Sequence, residues 1–122
     1  MSEDFRPSIQ GSRRIGLSLV VPVFNEAETI DAFLMRVLPV VSDRMQYRSG
    51  ASGFEIVFVD DGSSDGTYRK LQQLSRDNPA IKVIGLSRNF GKDAALSAGL
   101  DHAAGMAIIP LDVDLQDPPE VI

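Results

Sequence analysis

Four short apolar runs, each followed by a polar turn and most by a stretch of helical spacing, constrain this chain more than any other feature. Leu17 to Phe24 (LSLVVPVF), Phe54 to Val59 (FEIVFV), Ile81 to Leu86 and Met106 to Leu111 (MAIIPL) are rich in Val, Ile and Leu. They fit strands buried on both faces, as in a parallel sheet. After the first run, Ile30, Phe33, Leu34, Val37, Leu38 and Val41 recur on one helical stripe. A second helix is expected from about Thr67 to Arg76, with Tyr68, Leu71 and Leu74 inward. A third, rich in Ala, is expected from about Lys92 to Ala104, with Gly105 as its C-terminal cap. The order β-α-β-α-β-α-β predicts an α/β fold, a Rossmann-like parallel sheet with helices on both faces. Right-handed crossovers leave few topologies. The strand order expected is 3-2-1-4, with a ligand crevice outside the carboxyl ends of the strands where the order reverses.

The connecting segments carry their own signals. Asn25 with Glu28 reads as a capping box opening the first helix, and Pro39 is expected to kink or end it. Ser42 to Gly53 reads as a polar loop. Met1 to Arg14 reads as a flexible tail, which leaves residues 15–122 as the folded unit. Asp117-Pro118-Pro119-Glu120 has the form of a helix start, yet only Val121 and Ile122 follow. The chain therefore reads as the N-terminal part of a longer domain.

Composition removes several classes of function. A length of 122 residues suits one compact domain, and 43% hydrophobic residues is ordinary for an α/β protein. The formal net charge of −5 argues against a nucleic-acid partner. There is no cysteine, hence no disulfide or thiolate metal site, and His102 as the single histidine excludes a multi-histidine zinc site. The N-terminus lacks the apolar core of a signal peptide. No run approaches the roughly 20 apolar residues that cross a bilayer.

The acidic residues fall at strand ends. Asp112-Val113-Asp114 closes the fourth run and comes before the Asp117 helix start. Two carboxylates there repel each other unless a cation lies between them, and hard oxygen ligands suit Mg²⁺ or Mn²⁺. Such ions are usually held by one or two carboxylates together with substrate phosphates. Gln116 is near enough to add a neutral oxygen. A D-x-D triplet also occurs in phosphatases of the haloacid-dehalogenase kind, but on the first strand and with Thr or Val where Gln116 stands. Asp60-Asp61-Gly62-Ser63 closes the second run. A carboxylate at Asp61 can accept from a base edge, and uracil and guanine both offer suitable N–H groups; a plain helix-capping turn is the alternative. Glu26, after Pro22-Val23-Phe24-Asn25, reads equally as a ribose or base contact and as a first-turn acid favoured by the helix dipole. Arg88 and Lys92 flank Asn89-Phe90-Gly91 at a helix N-terminus, where anions are favoured; solvated cations are the first reading and phosphate contacts the second. His102 reads as a surface or half-buried residue.

Together the segments VVPVFNEAETI, EIVFVDDGSSDGT, LSRNFGKDAALSAGLDHA and LDVDLQDPPEVI resemble the family-2 glycosyltransferases of the GT-A fold, in the family's order and spacing, over about residues 15 to 122. RNFGK and DLQDPPE look most like the bacterial polyprenyl-phosphate glycosyltransferases, which are similar to dolichol-phosphate mannose synthase. The resemblance implies an inverting hexosyltransferase that takes a sugar from a nucleotide-diphospho-sugar. It implies that Pro22, Phe24 and Glu26 line the nucleotide pocket and that Val59 and Asp61 hold the base. Asp112, Val113 and Asp114 would meet ribose and diphosphate. Asp114 and Gln116, with Asp112, would hold Mg²⁺ or Mn²⁺. The acceptor implied is a polyprenyl phosphate at the cytoplasmic face of a bacterial inner membrane, with membrane segments beyond this chain. A polysaccharide or other hydroxyl acceptor, or a nucleotide-binding module without transfer, are the alternatives. The likeness to lipid-linked glucosyltransferases favours uridine over guanosine. Val113 departs from the small Ala usual between the two aspartates; it is expected to be tolerated, with crowding of the ribose as the alternative. The acceptor site would lie beyond Ile122, so the 122 residues alone are not expected to turn over. The sequence carries no signal of oligomeric state.

Overall fold

The computed structural model describes residues 15–46 and 53–115. The elements alternate as β1 (Leu17–Val23), α1 (Ala27–Gln46), β2 (Phe54–Asp60), α2 (Thr67–Asp77), β3 (Ile81–Gly85), α3 (Lys92–His102) and β4 (Ala107–Pro110). They form one parallel sheet in the order β3-β2-β1-β4, as the sequence predicts. β4 is the short edge strand, which accommodates Pro110: a residue without an N–H is tolerated at an edge. The next residue resumes the ladder, with Leu111 N–H donating to Val20 O at 2.9 Å. The expected tail over residues 1–14, part of the polar loop, Gln116 and the Asp117 helix start lie outside the described residues.

Strand alternation divides the core into two layers. Leu17, Leu19, Val21 and Val23 of β1 join Ile56 and Phe58 of β2 under α1, which contributes Ile30, Phe33, Val37 and Val41, and under Leu71 of α2. Phe33 meets Phe58 edge-on with ring centres 5.8 Å apart, a geometry that adds about 1 kcal/mol to the burial itself. On the opposite face Val20, Val57 and Val59 pack against Ala95 of α3. Here helix and sheet approach closely because position 99 has no side chain: a Cβ on Gly99 would strike Val20 and lie 3.0 Å from Val59. Thus α1 and α2 cover one face and α3 the other, and the crossover to β4 reverses the strand order beside β1.

Four local expectations are corrected. The α1 helix continues through Pro39 to Gln46, so part of the segment read as loop is helical. Proline removes one intrahelical bond, but Pro39 and Met35 are on the exposed face, where water can serve the freed carbonyl, while Val37 and Val41 are fully buried around it. Asn25 does not cap α1; it adopts φ 52° and its side chain turns to another loop. Gly105 is not the cap of α3, which ends at Ala103 in extended conformation. Gly105 is instead required for contact, since a Cβ would meet Ser18 Oγ at 2.5 Å. Tyr68 is 39% exposed and lies across Gly85 rather than in the core.

At the amino-terminal end of the sheet a buried carboxylate ties three strands together. Glu55 of β2 is 1% exposed. Its Oε2 accepts from Ser18 Oγ of β1 at 2.5 Å and from Ala104 N–H at 2.6 Å, and Oε1 pairs with Lys82 Nζ of β3 at 2.6 Å. Gly105 N–H donates to Ser18 Oγ at 2.8 Å, which attaches the turn before β4. Burial alone would push the Glu55 carboxyl up. The bonds from Lys82, Ser18 and Ala104 outweigh it and hold the group below the usual carboxylate range.

Candidate functional site

At the carboxyl ends of the strands, the loops after β1, β2 and β3 and the segment after β4 surround an open crevice of about 430 Å³. Its lining is Pro22 and Val23 from the end of β1, Phe24 and Glu26 from the loop after it, Asp61 from the second loop, Asn89 and Gly91 from the third, Lys92 from the start of α3, and Asp112, Val113 and Asp114 after β4. Residues far apart in sequence meet because β1 is flanked by β2 and β4, which puts the switch point beside Pro22.

The first two loops are stapled to each other. Asn25 N–H donates to Ser63 Oγ at 2.8 Å, and Asn25 Oδ1 accepts from Ser64 N–H at 2.8 Å and Asp65 N–H at 3.3 Å. Glu26 N–H donates to the buried Thr67 Oγ1 at 3.0 Å. Asp60 accepts from the Ser63 hydroxyl. Asp65 accepts from Thr67 N–H at 2.9 Å and from the Thr67 hydroxyl. The Thr67 hydroxyl and N–H, aided by Ala27, hold the Asp65 carboxyl below the usual range. Asp60, Ser63, Asp65 and Thr67 are thus the frame that fixes Asn25 and Glu26. Within its own loop Glu26 Oε1 accepts from Phe24 N–H at 2.9 Å.

Asp61 fastens the third loop. It is 4% exposed; Oδ1 accepts from Phe90 N–H at 2.8 Å, and Oδ2 from Gly91 N–H at 3.0 Å and Asn89 Nδ2 at 3.2 Å. The approach depends on Gly62, whose φ of 75° suits glycine and whose missing Cβ leaves room for the Arg88–Asn89 backbone. Arg88 lies over the Phe90 ring, 4.7 Å from its centre.

After β4 the chain alternates without being a strand. Leu111, Val113 and Leu115 are buried among the α1-side core residues, whereas Asp112 and Asp114 line the crevice. Leu115 N–H donates to Asp112 O at 3.0 Å, closing a turn in which Leu115 takes φ 53°. A bulky residue with left-handed backbone is uncommon; here 9% exposure of Leu115 shows the burial that holds it. Lys92, the first residue of α3, forms an ion pair through Nζ with Asp112 Oδ1. That bond, with the charges of Asp114 and Asp93, raises the Lys92 ammonium above its usual range.

The residues that the family resemblance places in the site therefore meet, with two exceptions. Val59 is fully buried between the sheet and α3 and does not line the crevice. Gln116 lies outside the described residues. Val113 is 5% exposed and anchored in the core, so most of its bulk is taken up by packing. His102 is on the exposed end of α3, its Nδ1 2.9 Å from Ala98 O. Asn89, Gly91 and Lys92 form one wall of this site; in the sequence the only signal of it is the cation and glycine at a helix start. Among the described residues no cluster of three or more His, Cys, Asp or Glu could hold a metal alone. A cation here would depend on two carboxylates and on oxygens from a ligand, which is the donor set Mg²⁺ and Mn²⁺ accept.

The profile of glycosyl transferase family 2 matches residues 18–122. A prophage bactoprenol glucosyl transferase homolog of Escherichia coli K12 is 50% identical over 106 residues, covering 87% of this chain and 33% of that protein. The undecaprenyl-phosphate 4-deoxy-4-formamido-L-arabinose transferase of Pseudomonas syringae is 41% identical over 108 residues, covering 87% of this chain and 30% of that protein. Among solved structures, the mannosyltransferase PcManGT of Pyrobaculum calidifontis, in complex with GDP-Man and Mn²⁺, superposes with a TM-score of 0.67 at 28% identity, covering 83% of this chain and 28% of that one. This chain spans about a third of the length of the curated relatives it matches.

Proposed function

The chain belongs to glycosyl transferase family 2, and on that premise we propose that its crevice binds the nucleotide and diphosphate of a UDP-sugar, for transfer of the sugar to a polyprenyl phosphate with inversion. The observation that carries this reading is the convergence of Asp112 and Asp114 with Pro22, Phe24, Glu26 and Asp61 around one opening. The names of the bactoprenol and undecaprenyl-phosphate relatives support the acceptor, and the Mn²⁺ complex of the mannosyltransferase supports a divalent ion.

In this reading Pro22 and the 43% exposed Phe24 wall the nucleoside. Asp61 accepts from a base N–H: a carboxylate offers about four acceptor sites, and its partners within the chain use three of them. Glu26, whose Oε1 is engaged by Phe24 N–H, offers its other oxygen to a ribose hydroxyl. Asp114 and Asp112, with Gln116, would hold Mg²⁺ or Mn²⁺, which when bound would neutralise the charge on the departing diphosphate. A phosphate oxygen of the acceptor forms the new bond to the anomeric carbon as the bond to the UDP oxygen breaks, giving UDP and a polyprenyl-phosphate-linked sugar. The acceptor phosphate is already ionised at neutral pH, so little base assistance is needed. No helix among the described residues is long and apolar enough to cross a membrane. Attachment to the cytoplasmic face of the inner membrane is assigned to segments outside this chain.

Calorimetric titration with UDP and with GDP, each with and without Mn²⁺, tests this. Mn²⁺ is expected to tighten UDP binding, and Asp114→Ala to weaken the Mn²⁺-supported binding by about tenfold or more, a loss of at least about 1.4 kcal/mol. UDP binding that ignores both Mn²⁺ and Asp114→Ala refutes the metal-diphosphate assignment. Preference for GDP corrects the base.

A further inference from the structure

We propose that Lys92 is the exchangeable counter-ion of the acidic pair: it neutralises Asp112 when no cation is bound, yields Asp112 to the entering divalent ion, and then binds the diphosphate. The inference rests on the reading of the crevice given above and deepens it, since that reading assigns Lys92 no role.

Three observations carry it. First, Lys92 Nζ is bonded to Asp112 Oδ1, an oxygen of the carboxylate that the reading above gives to the cation with Asp114. Ammonium and divalent cation therefore compete for one carboxylate. Second, both partners are accessible: the Lys92 side chain is 61% exposed and that of Asp112 36%. Exposed pairs are weak, so the lysine can leave without a large barrier. Third, Lys92 stays at the site after leaving. It is the first residue of α3, and the backbone just before it is fixed by the bonds from Phe90 and Gly91 N–H to Asp61. Its flexible four-carbon stem pivots from a held point on the crevice wall. The anion that arrives with the metal is a diphosphate, and a released ammonium beside it gains a charge-assisted bond. Asp61 thus serves two ends of the site, one carboxylate beside the base and one loop that sets the lysine.

The test exploits a reversal of sign. Mn²⁺ alone is titrated into the protein and read by the electron paramagnetic resonance signal of the free ion; Mn²⁺ with UDP is then titrated by calorimetry. Lys92→Gln is expected to tighten Mn²⁺ alone by roughly two- to fivefold, the worth of the exposed pair it removes. The same variant is expected to weaken UDP in the presence of Mn²⁺ by about tenfold. Lys92→Arg, which keeps the charge, should return both constants toward wild type. A lysine that only supports the fold would move both constants in one direction, and that result overturns the proposal, as does a variant indistinguishable from wild type. If wild type binds Mn²⁺ and UDP but Lys92→Gln shows no reversal, the role of Lys92 alone is lost. If wild type binds neither, the reading of the crevice fails and this inference with it.

Discussion

Asp61 shows how one side chain can be read correctly for place and incompletely for work. Its position at the end of an apolar run marks it as a crevice residue. Its partners Asn89, Phe90 and Gly91 are set by tertiary packing across Gly62, which no local pattern reveals. Replacing Asp61 by Asn removes one of the two anionic acceptors and turns an N–H₂ toward a backbone donor. Asp61→Asn is expected to speed amide hydrogen exchange at Phe90 and Gly91 and to weaken UDP binding by about tenfold or more. Exchange rates equal to wild type at those amides would show that the clamp is not formed in solution. The same limit explains Lys92: a cation beside a glycine at a helix start is visible in the sequence, but its partner twenty positions on is a product of the crossover. Asp112 and Asp114 were legible because they follow a strand directly, and a strand end in a parallel sheet opens onto the crevice.

At the level of elements, periodicity located every strand and helix in the described residues, and the errors fell at their ends. Pro39 does not end α1, whose buried flank carries the helix on to Gln46. Asn25 has a capping side chain, and Ser64 and Asp65 of a neighbouring loop claimed it. In both cases the deciding contacts come from another part of the chain. The Glu55 network gives the element scale its own prediction. Because the folded carboxyl lies below its ordinary range, its contribution is complete above the unfolded value near 4.5 and is lost as pH falls through the folded one. Glu55→Gln should lower stability at pH 7 by about 1–3 kcal/mol, since it leaves Lys82 unpaired and disturbs the bonds from Ser18 and Ala104. The gap between variant and wild type should close in acid. Urea denaturation at pH 7 and in acid measures it; a gap that stays constant with pH would deny Glu55 its ionic role.

For the molecule as a whole, the described residues hold a crevice built from four strand ends, in a chain that covers about a third of its curated relatives. The expectation is binding without turnover: the 122 residues should take up UDP with Mn²⁺ yet form no lipid-linked sugar from a labelled UDP-sugar and undecaprenyl phosphate. Label in the lipid extract would contradict it. The sheet also separates its acidic residues by end. Asp61, Asp112 and Asp114 face the crevice at the carboxyl termini, while Glu55 is sealed at the amino termini with Ser18, Lys82 and Ala104. Joining strands is thereby kept apart from lining the crevice. Mutational drift among the crevice loops can therefore reshape the opening while the opposite end still sets strand register, so this architecture can diversify at one end without renegotiating its topology.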